Sequence, residues 1–268
     1  MLRGLALGVA ALLAAAAAEA PPAAVLRAWP APEASQGVAV DGAAFFAIGN
    51  SEIARYERAS GKRTVAWKGD AHEFPHLNSC AVIRGELVCA GSNYPATPME
   101  SRVEMFDPAT LKHLRTIPLG RQGGSLTWVD WKDGGWWAGF ANYDGRGGEP
   151  GRDHTATKLV RFDADWKPLE TWTYPASVLE RMAPRSASGG TFGADGLLYV
   201  TGHDRPELYI LRAPRGGGVL EHLATVPIAV EGQAIALDRG APGVLFGVRR
   251  ASREVVAMRL PAGVTPAR

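Results

Sequence analysis

Residues 192–204 read FGADGLLYVTGHD, and the architecture of the whole chain follows from how this stretch is parsed. Asp195-Gly196 is a two-residue hairpin signal, because a type I′ turn needs positive φ at both central positions and Asp-Gly adopts it at low cost. Residues 197–201 carry the aromatic and β-branched side chains of a strand. That strand stops at Gly202 and delivers His203 and Asp204 to the loop beyond.

Four other stretches share the pattern: GVAVDGAAFFAIGN from Gly37, SCAVIRGELVCAGSN from Ser79, LTWVDWKDGGWWAGFAN from Leu126 and QAIALDRGAPGVLFGVRR from Gln233. Their turn glycines, Gly42, Gly85, Gly134, Gly196 and Gly240, stand 43, 49, 62 and 44 residues apart. A period of this size marks a propeller or another repeat array. A second strand pair follows each hairpin, clearest in residues 112–118 (KHLRTIP) and 221–227 (EHLATVP), with residues 171–175 (TWTYP) in the equivalent place. Two hairpins per repeat give four strands, so the expected fold is all-β, a five-bladed β-propeller.

The outer strands are expected at residues 52–58 and 63–67 in blade one, 102–106 and 113–117 in blade two, and 158–162 and 169–174 in blade three. Blade four covers 190–227, and blade five begins at Gln233 and takes 254–260 as its third strand, after which the chain runs out. An incomplete sheet leaves an exposed edge. Residues 25–30, VLRAWP, match the fourth-strand pattern and lie upstream of blade one, so the N-terminal strand is expected to complete the last blade and close the ring. Past Ala20 no stretch sustains a 3.6-residue period except a short turn at residues 176–182. A two-sheet sandwich is the rival architecture, but its strands need not recur in fours.

Residues 1–20 read as a signal peptide, with Arg3, an apolar run of 14 residues from Leu5, and Ala18-Glu19-Ala20 as a cleavage site. The run is shorter than the roughly 20 residues that span a bilayer. Pro21 after that site also admits a cut a few residues upstream. The expectation is one domain over 21–268, periplasmic or secreted, a monomer with no membrane anchor after cleavage. A formal net charge of +2 removes any electrostatic case for nucleic acid.

Both cysteines lie in the second hairpin. With Arg84-Gly85 as the turn, 83 faces 86, 82 faces 87, 81 faces 88 and Cys80 faces Cys89. This is a non-hydrogen-bonded pair, where Cα atoms approach to about 4.5 Å and a bridge fits. A Cys80–Cys89 disulfide is expected, with two buried thiols as the alternative.

In a propeller the loops entering each innermost strand share one face with those leaving the second strand. Here the entering loops carry Ser35-Gln36, His76 to Ser79, Gly124-Ser125, Arg185 to Ser188 and Glu231 to Gln233. The leaving loops carry Asn50, Ser92-Asn93-Tyr94, Asn142-Tyr143-Asp144, His203-Asp204 and Arg249-Arg250. This mouth is the expected site for a small-molecule substrate. His203 and Asp204 are the candidate acid and base, the carboxylate orienting the imidazole and raising its pKa. Arg249 and Arg250 are candidates to clamp a carboxylate or phosphate. His76, Asn78, Asn50, Asn93, Tyr94, Tyr143 and Gln233 complete the candidate binding set, although the asparagines also suit turns. No cofactor is expected. His76, Asn78, His203 and Asp204 are ligand types for a divalent metal in the channel, but no short spacing such as HExxH supports one. Residues 143–157 form a Gly-rich loop too polar to pack, a lid or rim in this reading. His113 and His222 fall on outer strands and are expected to face solvent. No Ser-x-x-Lys, G-x-S-x-G, P-loop or dinucleotide fingerprint occurs.

The opening of blade one, from Ser35-Gln36-Gly37 to Ser60-Gly61-Lys62, resembles plant-type glutaminyl cyclases, which are exported five-bladed propellers. That family has an acidic catalytic residue on the second strand, where this chain has Ala47 and non-acidic neighbours. Over its length, with HLNS at His76, SNYP at Ser92, GSLTW at Gly124 and GHDRPELY at Gly202, the chain resembles exported bacterial propeller proteins loosely labelled cycloisomerase. That resemblance implies the fold, and chemistry of cycloisomerase, lactonase or lyase type on a small polar or carboxylated substrate. The alternative is a non-catalytic binding or scaffold propeller recognising a protein or glycan. A mouth plugged by Trp128 or Tyr94, or an exposed aromatic patch at Trp136 and Trp137, would favour that alternative.

Overall fold

The structure, a computed structural model, describes residues 17–145 and 147–264. The expected signal sequence lies mostly outside the described residues. Two short pieces come first, β1 (Ala18–Glu19) and β2 (Ala24–Pro30). Blade one is β3 (Gly37–Asp41), β4 (Ala44–Ile48), β5 (Glu52–Glu57) and β6 (Arg63–Lys68). Blade two is β7 (His76–Ile83), β8 (Glu86–Ser92), β9 (Ser101–Phe106) and β10 (His113–Gly120). Blade three is β11 (Ser125–Lys132), β12 (Gly135–Ala141), β13 (Lys158–Phe162) and β14 (Pro168–Thr173), followed by the helix α1 (Ala176–Met182). Blade four is β15 (Gly189–Phe192), β16 (Leu198–Thr201), β17 (Glu207–Arg212) and β19 (Glu221–Pro227). β18 (Gly218–Val219) precedes β19 in the chain but adds to the outer edge of blade three. Blade five is β20 (Ala236–Leu237), β21 (Val244–Arg249) and β22 (Glu254–Arg259).

The fourth strand of blade five is β2, antiparallel to β22, with Ala24 opposite Arg259 and Pro30 opposite Glu254. The ring therefore closes through its two ends, as the strand shortage required. β1 adds in parallel to β19 as a fifth strand of blade four. The inner strands β3, β7, β11, β15 and β20 touch in cyclic order, β20 returning to β3.

The second strands of blades one, three and four are buried along their whole length, and those of blades two and five except at one end residue, because a blade is sandwiched between two others and both of its faces are interior. Neighbouring side chains on β4 serve opposite interfaces. Phe45 packs with Trp29, Tyr56 and Phe246 against blade five, and Phe46 packs with Leu77, Leu87 and Phe106 against blade two. The other blade pairs repeat the scheme, with Leu126 and Phe140 facing Val88 and Met105, and Trp172 facing Tyr209 and Leu211. Tyr199 and Ile210 likewise meet Leu245 and Met258 between blades four and five. The outer strands alternate in exposure, as one-sided strands do.

The hairpin turns differ in detail from the expectation. Arg84-Gly85 and Asp133-Gly134 have positive φ at both positions, +52° and +84° and then +50° and +74°, as type I′ turns require. At 195–196 only Gly196 is positive, at +82°. Gly193 and Gly196 instead close a longer loop, in which the Gly196 N–H reaches the Gly193 carbonyl and the Gly193 N–H reaches the Leu197 carbonyl. The cause is the Asp195 carboxylate, which accepts from the Leu197 N–H at 3.0 Å and from the Tyr199 hydroxyl at 2.7 Å. Those bonds hold Asp195 out of the left-handed region. Blade five turns through a wider loop whose positive φ belongs to Gly243 rather than Gly240.

The cysteine register is as computed, Cys80 opposite Cys89 with Cα atoms 4.0 Å apart, and the two form a disulfide. His113 and His222 are only partly exposed, and both make contacts within the protein. His113 binds the buried Glu104 carboxylate at 2.8 Å between the rings of Phe74 and Phe106, and His222 holds Ser177 and Thr225 at 3.0 Å each. Both turn inward because the neighbouring elements, the Phe74 loop and α1, cover the outer strands. Among the described residues, no helix is long and apolar enough to cross a membrane.

Candidate functional site at the channel mouth

A cavity of about 640 Å³ opens at the face where the entering and leaving loops meet, and all five blades contribute to its wall. Of the residues singled out in the sequence, Asn50, His76, Asn78, Tyr94, Tyr143, His203, Gln233 and Arg250 border it. His76 and His203 open onto the same side, as a closed ring demands.

Asn93, Asp204 and Arg249 do not line the cavity, Asp204 standing behind His203. The Asn93 carboxamide closes its own loop, donating to the Pro98 carbonyl and accepting from the Glu100 N–H, so turn chemistry accounts for it. Arg249 donates to the Ala229 carbonyl at 3.0 Å and pairs with Glu254. It therefore braces blade five instead of reaching the mouth. Gln36, Asp144, Arg185 and Ser188 do line the cavity. The loop register had marked these positions without distinguishing them from their neighbours.

Three groups meet at His203. Its Nδ1 lies 2.5 Å from Asp204 Oδ1, while Arg185 Nη1 and Arg250 Nη1 each stand 3.4 Å from its Nε2. A carboxylate only accepts and a guanidinium only donates, so the proton sits on Nδ1 and Nε2 carries the lone pair. The pKa of His203 is lowered, against the sequence expectation. Burial disfavours the charged ring, the two guanidiniums add to that, and the Asp204 carboxylate, itself half exposed, does not outweigh them. His76 is pushed down further, to about 4, by burial first and then by Arg250 and His203. Its Nδ1 lies 2.9 Å from Asn50 Oδ1, and its ring leans on Tyr94 at 4.9 Å. Both shifts favour the neutral imidazole.

This charge pattern disfavours a divalent cation at the residues considered for one, since His203 Nε2 faces two guanidiniums and both Nδ1 atoms are engaged. The groups on the described residues that could gather on a cation lie at the rim, Asp144, Asp153 and His154, with donor atoms within 4.8 Å of one another. There the Asp144 carboxylate already holds the His154 N–H and Nδ1, and Asp153 caps Thr155. The described residues of the loop 143–157 are tied down by hydrogen bonds, although many of them are exposed. The Asp144 N–H is held by the Pro184 carbonyl, Glu149 accepts from the Met99 N–H, and Arg152 donates to the Gly123 carbonyl. Local carboxylate bonds supply what its apolar content lacks.

Of the features that would have indicated a filled channel, Tyr94 does border the cavity, beside His76, but leaves it open, and the others are not present among the described residues. Trp128 is fully buried against Gly139 and Gly190, where a Cβ would collide with the indole. Trp136 and Trp137 are buried as well, packed on Trp166 and Trp172.

No protein-family model matches the chain, and no curated protein matches it in sequence. Solved structures do. A luciferin-regenerating enzyme aligns at 13% identity with a TM-score of 0.52, over 87% of this chain and 93% of that one. The PQQ-bound aldose sugar dehydrogenase of Streptomyces coelicolor aligns at 13% identity with a TM-score of 0.51, over 93% of this chain and 85% of that one. At this identity the likeness supports the propeller fold and nothing finer.

Proposed function

We propose that the chain is an exported enzyme acting on a small carboxylated substrate at the channel mouth, with chemistry of isomerase, lactonase or lyase type. The carrying observation is the convergence of Arg185 and Arg250 on the free nitrogen of His203. Among the described residues, Arg250 has no carboxylate partner. Two guanidiniums beside a neutral ring form a site for an anion.

A substrate carboxylate is a better acceptor than an imidazole nitrogen, so it draws both guanidiniums to itself and releases the Nε2 lone pair toward the substrate. His203 then takes a proton from the bound substrate or from an attacking water. Asp204 steadies the imidazolium, and the proton returns to the leaving oxygen or carbon. The two solved neighbours are enzymes by name, which is compatible with this reading without specifying a reaction. The binding or scaffold alternative draws no support from the mouth, which is open, or from Trp136 and Trp137.

The disulfide suits an oxidising compartment, periplasmic or extracellular. Leader removal upstream of Ala18 fits this best, because β1 pairs with Ala224 and Thr225 and Glu19 binds Arg181 at 3.1 Å.

Thermal-shift titration tests the reading. Saturating succinate or a related organic acid is expected to raise the melting midpoint of the wild-type protein and to leave that of Arg250→Met in place. A wild type that no organic acid stabilises would sink it.

A further inference from the structure

Gln233 stands between the last two blades, in the loop that enters β20. It is 3% exposed, borders the cavity and has φ of +75°. A residue with a side chain is strained in that region, by about 1–3 kcal/mol. Its backbone is fastened on both sides, the N–H to the Gly202 carbonyl at 3.0 Å and the carbonyl to Thr201 Oγ1 at 2.5 Å. The preceding Gly232 packs directly on the Gly202-His203 backbone, where a Cβ would collide with the Gly202 carbonyl oxygen. Gln233 is thereby locked next to His203.

Its side-chain Nε2 is buried and has no partner in the protein. An amide N–H left in this state costs about 1–3 kcal/mol. Two unfavourable features therefore coincide at one residue; backbone hydrogen bonds hold the strained conformation, and the buried Nε2 is left without a partner. Such coincidences belong to sites that a ligand completes.

We infer that the Gln233 carboxamide is a ligand-binding donor, and that the ligand turns an acceptor-only face, carboxylate or carbonyl oxygens, to the cavity wall that Gln233, Arg185 and Arg250 all border. This rests on the anion-binding reading of the mouth and adds to it the chemistry of the ligand's bound face. Guanidinium and amide nitrogens donate and do not accept, and Nδ1 of His203 is already engaged by Asp204. Two or more bare oxygens match these donors, whereas an edge made only of hydroxyl donors would find a single acceptor, Nε2 of His203.

Gln233→Met keeps the length and removes the donor, and Gln233→Gly removes the strain. Without ligand, the urea midpoint of Gln233→Met is expected at or above that of wild type, and that of Gln233→Gly above it. Calorimetric titration with succinate should show about 10- to 100-fold weaker binding to Gln233→Met than to wild type, as loss of one charge-assisted bond implies. A Gln233→Met midpoint clearly below wild type would assign the carboxamide to the fold and overturn the inference. So would unchanged succinate affinity in Gln233→Met alongside a loss in Arg250→Met, a pattern that leaves the anion-binding reading standing. Unchanged affinity in Arg250→Met with a loss in Gln233→Met removes the clamp but keeps the donor. Wild type that binds neither succinate nor inorganic phosphate overturns both.

Discussion

Trp29→Ala is expected to lower the stability of the propeller by about 3–5 kcal/mol, the range for removing a large aromatic side chain from a packed interior. Trp29 lies on β2, the strand that closes the ring, and is 6% exposed. Its ring packs on Phe45 at 5.1 Å and on Phe246 at 5.9 Å, which belong to blade one and blade five. Its indole N–H donates to the Arg58 carbonyl at 3.1 Å. The one side chain thus joins the N-terminal strand to both blades that meet at the closure. Trp29→Phe should retain most of the packing and lose the hydrogen bond, a change of about 1 kcal/mol. Urea denaturation of the two variants measures both. A loss below about 1 kcal/mol in Trp29→Ala would show that the first and last blades hold together without β2.

His203→Ala is expected to reduce kcat/KM for the carboxylated substrate by about 10²–10⁴, the usual contribution of a positioned acid–base group. Asp204→Asn should fall by less, because the imidazole itself remains, although it loses the group that steadies its charged form and Arg185 loses its ion pair with Asp204 at 3.4 Å. The pH profile carries a separate sign. The catalytic form of His203 is neutral and its pKa is lowered by burial and by both guanidiniums, so the acid limb should lie below the ordinary histidine value of 6.5. Replacing Arg250 with Met removes one positive neighbour and should move that limb upward. Turnover by His203→Ala equal to wild type would remove His203 from the chemistry, and a limb above 6.5 would contradict the charge arrangement around it.

The parts of this structure that were legible in the sequence are those governed by local rules. Alternation and turn residues located the strands, and β13 falls on its expected residues because Lys158–Phe162 is an unbroken apolar-rich strand between polar loops. Counting outward from Arg84-Gly85 placed Cys80 against Cys89. The fourth strand of blade five was found by its absence at one end and its surplus at the other. What escaped depends on neighbours remote in the chain. His113 and His222 sit on outer strands, and only the course of the Phe74 loop and of α1 turns them inward. The two-residue strands β1 and β18 add in parallel to outer edges and have no alternation to read. Among site residues, Arg185 could not be told from Arg249 by type, since one loop aims its guanidinium at His203 and the other strand end turns its guanidinium onto Glu254. The direction of the His203 shift was also hidden, because Asp204 is its sequence neighbour whereas the burial that dominates the shift, and both arginines, come from other loops.

Closure of the ring by its two ends is what brings residues of blades two, four and five to a common mouth, and cross-linking reads it directly. Ala24 and Arg259 are exposed cross-strand partners of β2 and β22. In the double variant Ala24→Cys with Arg259→Cys, peptide mapping under mild oxidation is expected to recover a disulfide joining the two substituted positions. The out-of-register control, Ala24→Cys with Glu254→Cys, is expected to show none. Equal linkage in both pairs, or linkage in the control alone, would contradict the closure.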